Sequence, residues 1–124
     1  MNEEKVTSLA VALRWNKTVK ALIFDQNPVH DGGAMALAKV LERNRYITKL
    51  TLRHAQIGHR GASQLASALK KSQVVLESLV LSYNDIRDEG ARDIARAIRK
   101  NKKLKLLDLS SNQISNDGAE ALGE

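Results

Sequence analysis

Apolar residues along this chain follow two spacings in turn. From Leu76 to Leu104, they first alternate with other residues, at Leu79 and Leu81, and then recur every three or four residues from Ala91 to Ile98. Alternation is typical of a strand with one buried face, and the wider spacing is typical of an amphipathic helix. The stretch therefore predicts a short strand, a turn and one helix.

The same unit occurs along the whole chain. Glycines at positions 33, 61, 90 and 118 mark its helices, and they are 28, 29 and 28 residues apart. Residues 1–17 repeat only the helical half, and the last unit stops inside its helix. We therefore predict one domain over residues 1–124, part of a longer array, that consists of a helical half-repeat (1–17), three full repeats (18–46, 47–75 and 76–103) and a truncated repeat (104–124).

Each recurring position has a structural reason. Consecutive strands return through a helix, so they are predicted to be parallel, with the alternating leucines pointing inward. Glycine and alanine at the helix start let neighbouring helices lie close together. Asn27, Asn84 and Asn112 follow the strands and can bond backbone groups that the turn leaves unpaired. Ala55 interrupts this series, which predicts a looser turn or a bound water in the second repeat.

The pattern L-x-x-L-x-L-x-x-N-x-I-x-x-x-G-A, read from Leu76 to Ala91, resembles the ribonuclease-inhibitor-like class of leucine-rich repeat. This class is also found in Ran GTPase-activating protein and in nucleotide-binding leucine-rich-repeat receptors. The resemblance implies a right-handed α/β solenoid, a segment of a horseshoe, with a parallel inner sheet and outer helices. It also implies that partners bind the concave face, the sheet surface formed by side chains that point away from the helices.

The concave face is the first candidate site, and it predicts a protein-protein interaction module. Asp25 and Arg53 fall side by side on adjacent strands, where they form either a solvent-exposed ion pair or a polar anchor for a partner protein. In the second case, Arg53, His54 and Tyr83 form a small contact patch. The candidate partner-binding residues are Asp25, Lys49, Thr51, Arg53, His54, Val80, Ser82, Tyr83 and Asp108.

Size limits what this face can bind alone. Four short strands expose roughly a few hundred Å² on one side. A standard protein complex buries about 800 Å² on each partner. We therefore expect adjoining loops to contribute to binding, or the chain to belong to a longer array, or copies of the chain to associate end to end.

A basic convex face is the second candidate site. The formal net charge is +6, from 20 Lys and Arg against 14 Asp and Glu, and much of the excess lies between Arg87 and Lys105. The candidate patch comprises Arg92, Arg96, Arg99 and Lys103, at helical spacing, with Lys100 and Lys102 beside them. Cations near a helix C-terminus complement the helix dipole and keep a convex face soluble. The alternative function is binding of an anionic ligand, nucleic acid or an acidic surface, although that helix carries no aromatic residue for base stacking.

Trp15 occupies a position where the next three helices carry Arg43, Lys71 and Lys100, which indicates a solvent-facing site. It is the single tryptophan of a chain that has only two tyrosines and one phenylalanine besides. Two interpretations remain open. The indole either folds back over the exposed end of the stack or contacts a partner.

Composition narrows the remaining classes. The chain is 43% hydrophobic and 27% charged, as in a soluble globular protein, and it has no cysteine for disulfide or thiolate chemistry. No apolar run approaches the roughly 20 residues of a membrane span, and the N-terminus does not resemble a signal sequence, so we expect a cytoplasmic protein.

Residues for catalysis are not evident. His30, His54 and His59 lack the spacing of a zinc site, and no Gly-rich phosphate loop occurs. We therefore predict no catalytic, cofactor-binding or metal-binding residue and no small-molecule substrate. The resemblance leaves a GTPase-activating regulatory role, exerted on a partner's active site, as one further alternative.

Overall fold

The computed structural model describes the backbone of residues 2–123 and the side chains of residues 2–120. Within this range, helices and strands alternate. The elements are α1 (Glu3–Leu13), β1 (Ala21–Ile23), α2 (His30–Arg43), β2 (Lys49–Thr51), α3 (His59–Leu69), β3 (Ser78–Val80), α4 (Arg87–Lys100), β4 (Leu106–Asp108) and α5 (Asn116–Gly123). The two ends of the predicted repeat domain, residues 1 and 124, lie outside the described residues.

The four described strands form one parallel sheet in the order β1-β2-β3-β4. Leu22, Leu50, Leu79 and Leu107 align in register across it. In the helical layer, each helix packs on the next one along the chain, from α1 to α5. The predicted α/β solenoid, with a parallel sheet and a layer of helices, is therefore confirmed.

The core is aliphatic and runs along the stack between sheet and helices. Leu50 and Leu79 of the strands are fully buried, as are Leu37 and Ile94 of the helices. Each such side chain stabilises the fold by about 1.5–3 kcal/mol when it leaves water. The fold therefore depends on many medium-sized aliphatic contacts, because few aromatic residues are present.

Neighbouring helices lie against each other at the repeated glycines. A Cβ atom added to Gly61 would lie 3.1 Å from the Ala34 Cβ atom on α2. A Cβ atom on Gly90 would lie 3.2 Å from the Ala62 Cβ atom and 3.3 Å from the His59 Cα atom on α3. All three distances are shorter than ordinary van der Waals contact, so the predicted close packing at these glycines is confirmed.

Buried asparagines after the strands connect each repeat to the one before it. Asn84 Oδ1 accepts hydrogen bonds from the backbone N–H groups of Ala55 at 3.0 Å and Ile57 at 3.1 Å. Its Nδ2 donates to the Leu52 carbonyl at 2.8 Å. Asn112 bonds the third repeat in the same way. The amides thus satisfy buried backbone groups that the turns leave unpaired, as predicted.

Ala55 does not loosen the turn of the second repeat, so the predicted looser turn is wrong. Its N–H is bonded by Asn84, and its carbonyl accepts a hydrogen bond from the His30 N–H at 3.0 Å. Each of these asparagines bonds the turn of the preceding repeat. The absence of an amide at position 55 therefore affects the turn of the first repeat. There the N–H of Asn27 turns back to the Phe24 carbonyl at 3.2 Å.

A second asparagine series lies where the helices end, and it was not predicted as a ladder. Asn44 Nδ2 donates to the carbonyls of Leu13 and Asn16, both at 2.9 Å, and its Oδ1 accepts from the Tyr46 N–H at 2.7 Å. Asn16 and Asn101 accept hydrogen bonds from the residues two and three positions further along. The 28-residue interval between Asn16 and Asn44 is the sequence signal that could have revealed this series.

The turns that lead into the helices are of two alternating kinds. In the first and third repeats, the residue with a left-handed backbone is the first of the helix, His30 (φ 57°) or Arg87 (φ 61°). In the second and fourth repeats, it precedes the helix, at Gln56 (φ 59°) or Gln113 (φ 53°). Pro28 stands at the Gln56 position in the first repeat and cannot adopt a positive φ.

An acidic residue follows the same alternation. Asp31 Oδ1 accepts a hydrogen bond from the Gly58 N–H at 2.7 Å, just before α3, and Asp88 Oδ1 accepts one from the Ser115 N–H at 2.7 Å, just before α5. In the second repeat His59 occupies the equivalent position. The turn conformation and its acidic residue therefore recur every two repeats.

Candidate protein-binding face

A row of side chains projects from the rim of the sheet, one after each strand. We call it the strand-exit row, and it consists of Gln26, His54, Tyr83 and Ser111. All four backbones are left-handed, with φ between 51° and 62°, which costs a non-glycine residue about 1–2 kcal/mol. Hydrogen bonds across the repeats offset this cost; for example, the Tyr83 N–H donates to the Ser110 carbonyl at 3.0 Å.

Two aromatic side chains of the strand-exit row stack on each other. The ring centroids of His54 and Tyr83 are 4.5 Å apart, with an angle of 12° between the ring planes. Both residues are exposed, and Tyr83 keeps 53% of its surface accessible. The structure thus brings together two members of the predicted contact patch and leaves an aromatic surface facing solvent.

Arg53 pairs with Asp25 beside this stack. Arg53 Nη1 lies 3.1 Å from Asp25 Oδ2, and the Arg53 backbone N–H donates to Asp25 Oδ1 at 3.0 Å. The side chains retain 45% and 28% of their accessible surface, respectively. A pair this exposed contributes about 1 kcal/mol or less to stability. The geometry fits an ion pair that orients the guanidinium on an open surface.

The carboxylates on both sides of Arg53 are held ionised. Partial burial acts to raise the pKa of Asp25, but hydrogen bonds from the Arg53 N–H and the Arg53 guanidinium act against it, and the pKa is lowered from 3.8. The N–H and hydroxyl of Ser110 lower the pKa of Asp108, with a smaller contribution from Arg53. The face therefore presents fixed charges of both signs at neutral pH.

Three of the predicted contact residues are buried and add little exposed area to the face, so their role in binding stays a prediction. Thr51, Val80 and Ser82 expose only 3%, 4% and 2% of their surface. Thr51 and Val80 line the groove on the concave face, in line with their positions in the alternation. They are, however, short side chains on the two middle repeats, where neighbours on both sides cover them. Lys49 is exposed on β2, and Asp108 is half-buried on β4.

Two apolar residues on the outer strands belong to this face and were missing from the predicted site. Ile23 on β1 is 64% exposed and Leu106 on β4 is 50% exposed. Both line a shallow groove of about 270 Å³ together with Lys49, Arg53 and Asp108. Their signal was visible in the sequence, because both are apolar residues at outward-pointing strand positions.

The basic convex face is less continuous than predicted. Its exposed members on α4 are Arg92, Arg96, Arg99 and Lys100. Arg96 Nη1 lies 3.3 Å from Asp93 Oδ1, so acidic residues of the same helix partly neutralise the patch. Lys102 and Lys103 do not extend the helical stripe, because α4 ends at Lys100. They lie in the loop that leads to β4.

The described residues contain no group of three or more His, Cys, Asp or Glu side chains that could hold a metal ion. His54 belongs to the aromatic stack, and His59 Nε2 lies 3.6 Å from Glu89 Oε2 on the helical side. Among the helices between residues 2 and 123, none has the length and apolar character needed to cross a bilayer.

Comparison with known proteins identifies the same kind of repeat in this chain. The family description "Leucine Rich repeat" matches residues 16–38, 43–66, 74–95 and 100–123. NACHT, LRR and PYD domains-containing protein 9 of Bos taurus is 36% identical over 91 residues, which are 73% of this chain and 9% of that protein. RAN GTPase-activating protein 2 of Arabidopsis thaliana is 27% identical over 125 residues, which cover 100% of this chain and 23% of that protein.

The chain thus spans less than a quarter of each of these relatives. The structure of Leiomodin-1 Actin-Binding Site 2 has the same fold, with a TM-score of 0.77 at 21% identity over 99% of this chain and 73% of that one. The resemblance to the ribonuclease-inhibitor-like class is confirmed by these relatives. Because the four family matches cover most of its length, this chain belongs to the leucine-rich-repeat family.

Proposed function

We propose that the chain binds a partner protein through the concave face and the adjoining strand-exit row. The observation that carries the proposal is the exposed His54–Tyr83 stack beside the Arg53–Asp25 pair. Aromatic and arginine side chains dominate the binding energy of protein interfaces, since they combine large contact area with directed hydrogen bonds. Nothing in the fold requires these side chains to be exposed, whereas the buried leucines and asparagines are needed for the scaffold.

The face combines the elements of a small interface. Ile23 and Leu106 provide apolar area at its two sides, and Lys49, Arg53 and the two carboxylates provide polar contacts between them. The strand-exit row extends the surface beyond the strands. A partner that contacts both regions would bury more area than the sheet alone offers, which is needed for an interface of about 800 Å² per side.

Affinity capture from cell extract with matched variants tests this proposal. The double variant Arg53→Ala/Tyr83→Ala removes the two exposed anchors. The control, Arg92→Ala/Arg96→Ala on α4, carries the same number of substitutions of exposed side chains. We expect the captured protein to be lost with the first variant, by at least about tenfold, and kept with the second. Retention with the first variant and loss with the second would instead assign binding to the basic convex face. Circular dichroism verifies that both variants are folded.

GTPase activation is a second candidate, because the alignment with RAN GTPase-activating protein 2 covers the whole chain. In this case the chain would bind a GTPase and change its hydrolysis rate. The measurement is phosphate release from a GTP-loaded Ran-type GTPase with and without the chain. If the chain binds the GTPase but the rate of GTP hydrolysis is unchanged, activation of that GTPase is excluded and the chain acts as an interaction module.

A further inference from the structure

A groove of about 570 Å³ opens where the helices end and the chain turns toward the strands. Two aromatic side chains line it, Trp15 after α1 and Tyr46 after α2. Trp15 is 68% exposed and Tyr46 is 43% exposed. The interpretation that the indole folds back over the end of the stack is therefore wrong. We call this site the helix-end groove.

The backbone that carries both rings is fixed by one buried amide. Asn44 Nδ2 donates to the carbonyls of Leu13 and Asn16, on the two sides of Trp15, at 2.9 Å each. Asn44 Oδ1 accepts the Tyr46 N–H at 2.7 Å. The two rings are thus held on a rigid frame, which lowers the entropy lost when a ligand binds between or over them.

The groove is strongly basic. Its cationic lining residues are Arg14, Lys17, Arg43, Arg45 and Lys71, and its acidic lining residue is Glu42. Cations at helix C-termini complement the helix dipole, which accounts for Arg14 and Arg43. Arg45, in the loop after α2, donates from Nη1 to the Gln73 carbonyl at 3.2 Å. Neither of these roles accounts for Lys17, in the loop after α1, or for the two exposed rings.

We propose that the helix-end groove binds single-stranded nucleic acid. Bases stack on Trp15 and Tyr46, and the phosphates contact the surrounding Lys and Arg side chains. An electropositive groove combined with exposed aromatic side chains is the arrangement by which proteins bind single strands without reading their sequence. An acidic protein segment would satisfy the cations but would leave the two rings without planar partners. The site is separate from the concave face, so this proposal does not depend on the proposed function.

The single tryptophan of the chain makes the test direct. We expect short oligothymidylate and oligouridylate to quench the Trp15 fluorescence, and affinity to fall steeply between about 50 and 200 mM salt, because phosphate contacts release counterions. Either sugar type supports the proposal, and their relative affinity assigns RNA or DNA. Absence of quenching and of binding at the lower salt concentration overturns it, as does equal affinity for duplex DNA.

Variants separate stacking from general attraction between charges. By fluorescence polarisation with labelled oligonucleotide, Trp15→Ala and Tyr46→Ala are each expected to weaken binding by at least about fivefold, the loss of one stacked base. Tyr83→Ala on the strand-exit row and Arg96→Ala on α4 are the aromatic and cationic controls and leave affinity unchanged. The proposal fails if Trp15→Ala binds the oligonucleotide as tightly as the unchanged protein does. It also fails if a polyglutamate peptide displaces the oligonucleotide equally well from the unchanged protein and from Trp15→Ala.

Discussion

Single residues join the repeats of this molecule to one another. Asn84 is buried, and its amide makes hydrogen bonds with backbone groups of its own repeat and of the preceding one. An aliphatic side chain could fill the same space but would leave those N–H and carbonyl groups unpaired. A buried unpaired backbone group costs about 1–3 kcal/mol. The amide therefore matters more than its volume.

Replacing Asn84 by Ala is expected to lower the free energy of unfolding by about 2–4 kcal/mol, because several buried backbone groups lose their partner at once. Gln64→Ala, at an exposed position of α3, serves as the control and should change stability by less than about 0.5 kcal/mol. Urea denaturation followed by circular dichroism measures both. Equal stability of the two variants would contradict the structural role of the ladder.

The Asp25 carboxylate should titrate below its ordinary range. Because its pKa is lowered from 3.8 in the folded protein, its contribution to stability is complete above the unfolded value and is lost as pH falls through the lower folded value. Arg53→Ala removes the guanidinium and should move the pKa of Asp25 upward. Carbon-detected NMR titration of the carboxyl measures this, with Arg60→Ala as the control that leaves the Asp25 titration in place.

At residue scale, direction was predictable and exposure was not. The alternation of apolar residues places Thr51 and Val80 on the concave face, where both line the groove. Whether such a side chain reaches solvent depends on the lengths of the neighbouring side chains on both adjacent strands. Strand pairing brings together residues that are 28 or 29 positions apart in the chain. For the same reason, the sequence predicts that His54 and Tyr83 share a contact patch but does not predict that their rings stack.

At the scale of elements, neighbouring helices lie against each other at the repeated glycines. At Gly90, an added methyl group would press on the His59 backbone of α3 and on the Ala62 side chain. At Gly32, the nearest atoms belong to the end of the Glu3 side chain, which can rotate away. The two glycines occupy helices of similar sequence but differ in what surrounds them.

Gly90→Ala should therefore lower the free energy of unfolding by about 1–3 kcal/mol, since the helices must move apart. Gly32→Ala should raise it by up to about 1 kcal/mol, because alanine favours the helix more than glycine does. Thermal and urea unfolding of the matched pair measures the difference. Stabilisation by both changes would show that the helices can separate without loss.

Helices and strands themselves were the most predictable level. Periods of two and 3.6 identified each strand and helix, because a short repeat leaves few alternative ways to bury its leucines. The end of α4 at Lys100 was less clear in the sequence, since basic residues continue through Lys103. The alternating turns were not visible either, because a left-handed backbone at glutamine, histidine or arginine has no composition signal comparable to glycine.

Across the whole molecule, contacts are local along the chain. Helices pack only on the preceding and following helix, and strands pair only with adjacent strands, among the described residues. Stability in such an array is a sum of repeat and neighbour terms, so the chain can unfold in parts. The middle repeats have neighbours on both sides, and the outermost described elements have one.

Hydrogen exchange should reflect this gradient. Amides of β2 and β3 are expected to exchange most slowly, and those of α1 and α5 fastest. Ile94→Ala, which leaves a cavity worth about 2–5 kcal/mol in the third repeat, should accelerate exchange in α4 and α5 much more than in α1. A uniform increase along the chain would indicate a single cooperative unit instead.

The edge of β4 offers one more prediction. Leu107 and Leu109 are half-buried there and line an open groove of about 570 Å³. An adjoining repeat in a longer array, or a second copy placed end to end, would cover this surface. For residues 1–124 in isolation, we expect the average mass by light scattering to rise reversibly with concentration. A constant monomer mass at millimolar concentration would contradict end-to-end association.

Asp31 and Asp88 occur in the first and third repeats only, which sets the size of the piece that can be copied or removed. Deleting one 28-residue repeat would join two turns of the same kind and would take from Asp31 the Gly58 N–H that it bonds. Deleting or inserting two repeats, the 57 residues that separate Gly33 from Gly90, would keep the two kinds of turn in alternation. An engineered extension of this solenoid should therefore add repeats in twos, and a gene that grows by duplication would keep its turns matched in the same steps.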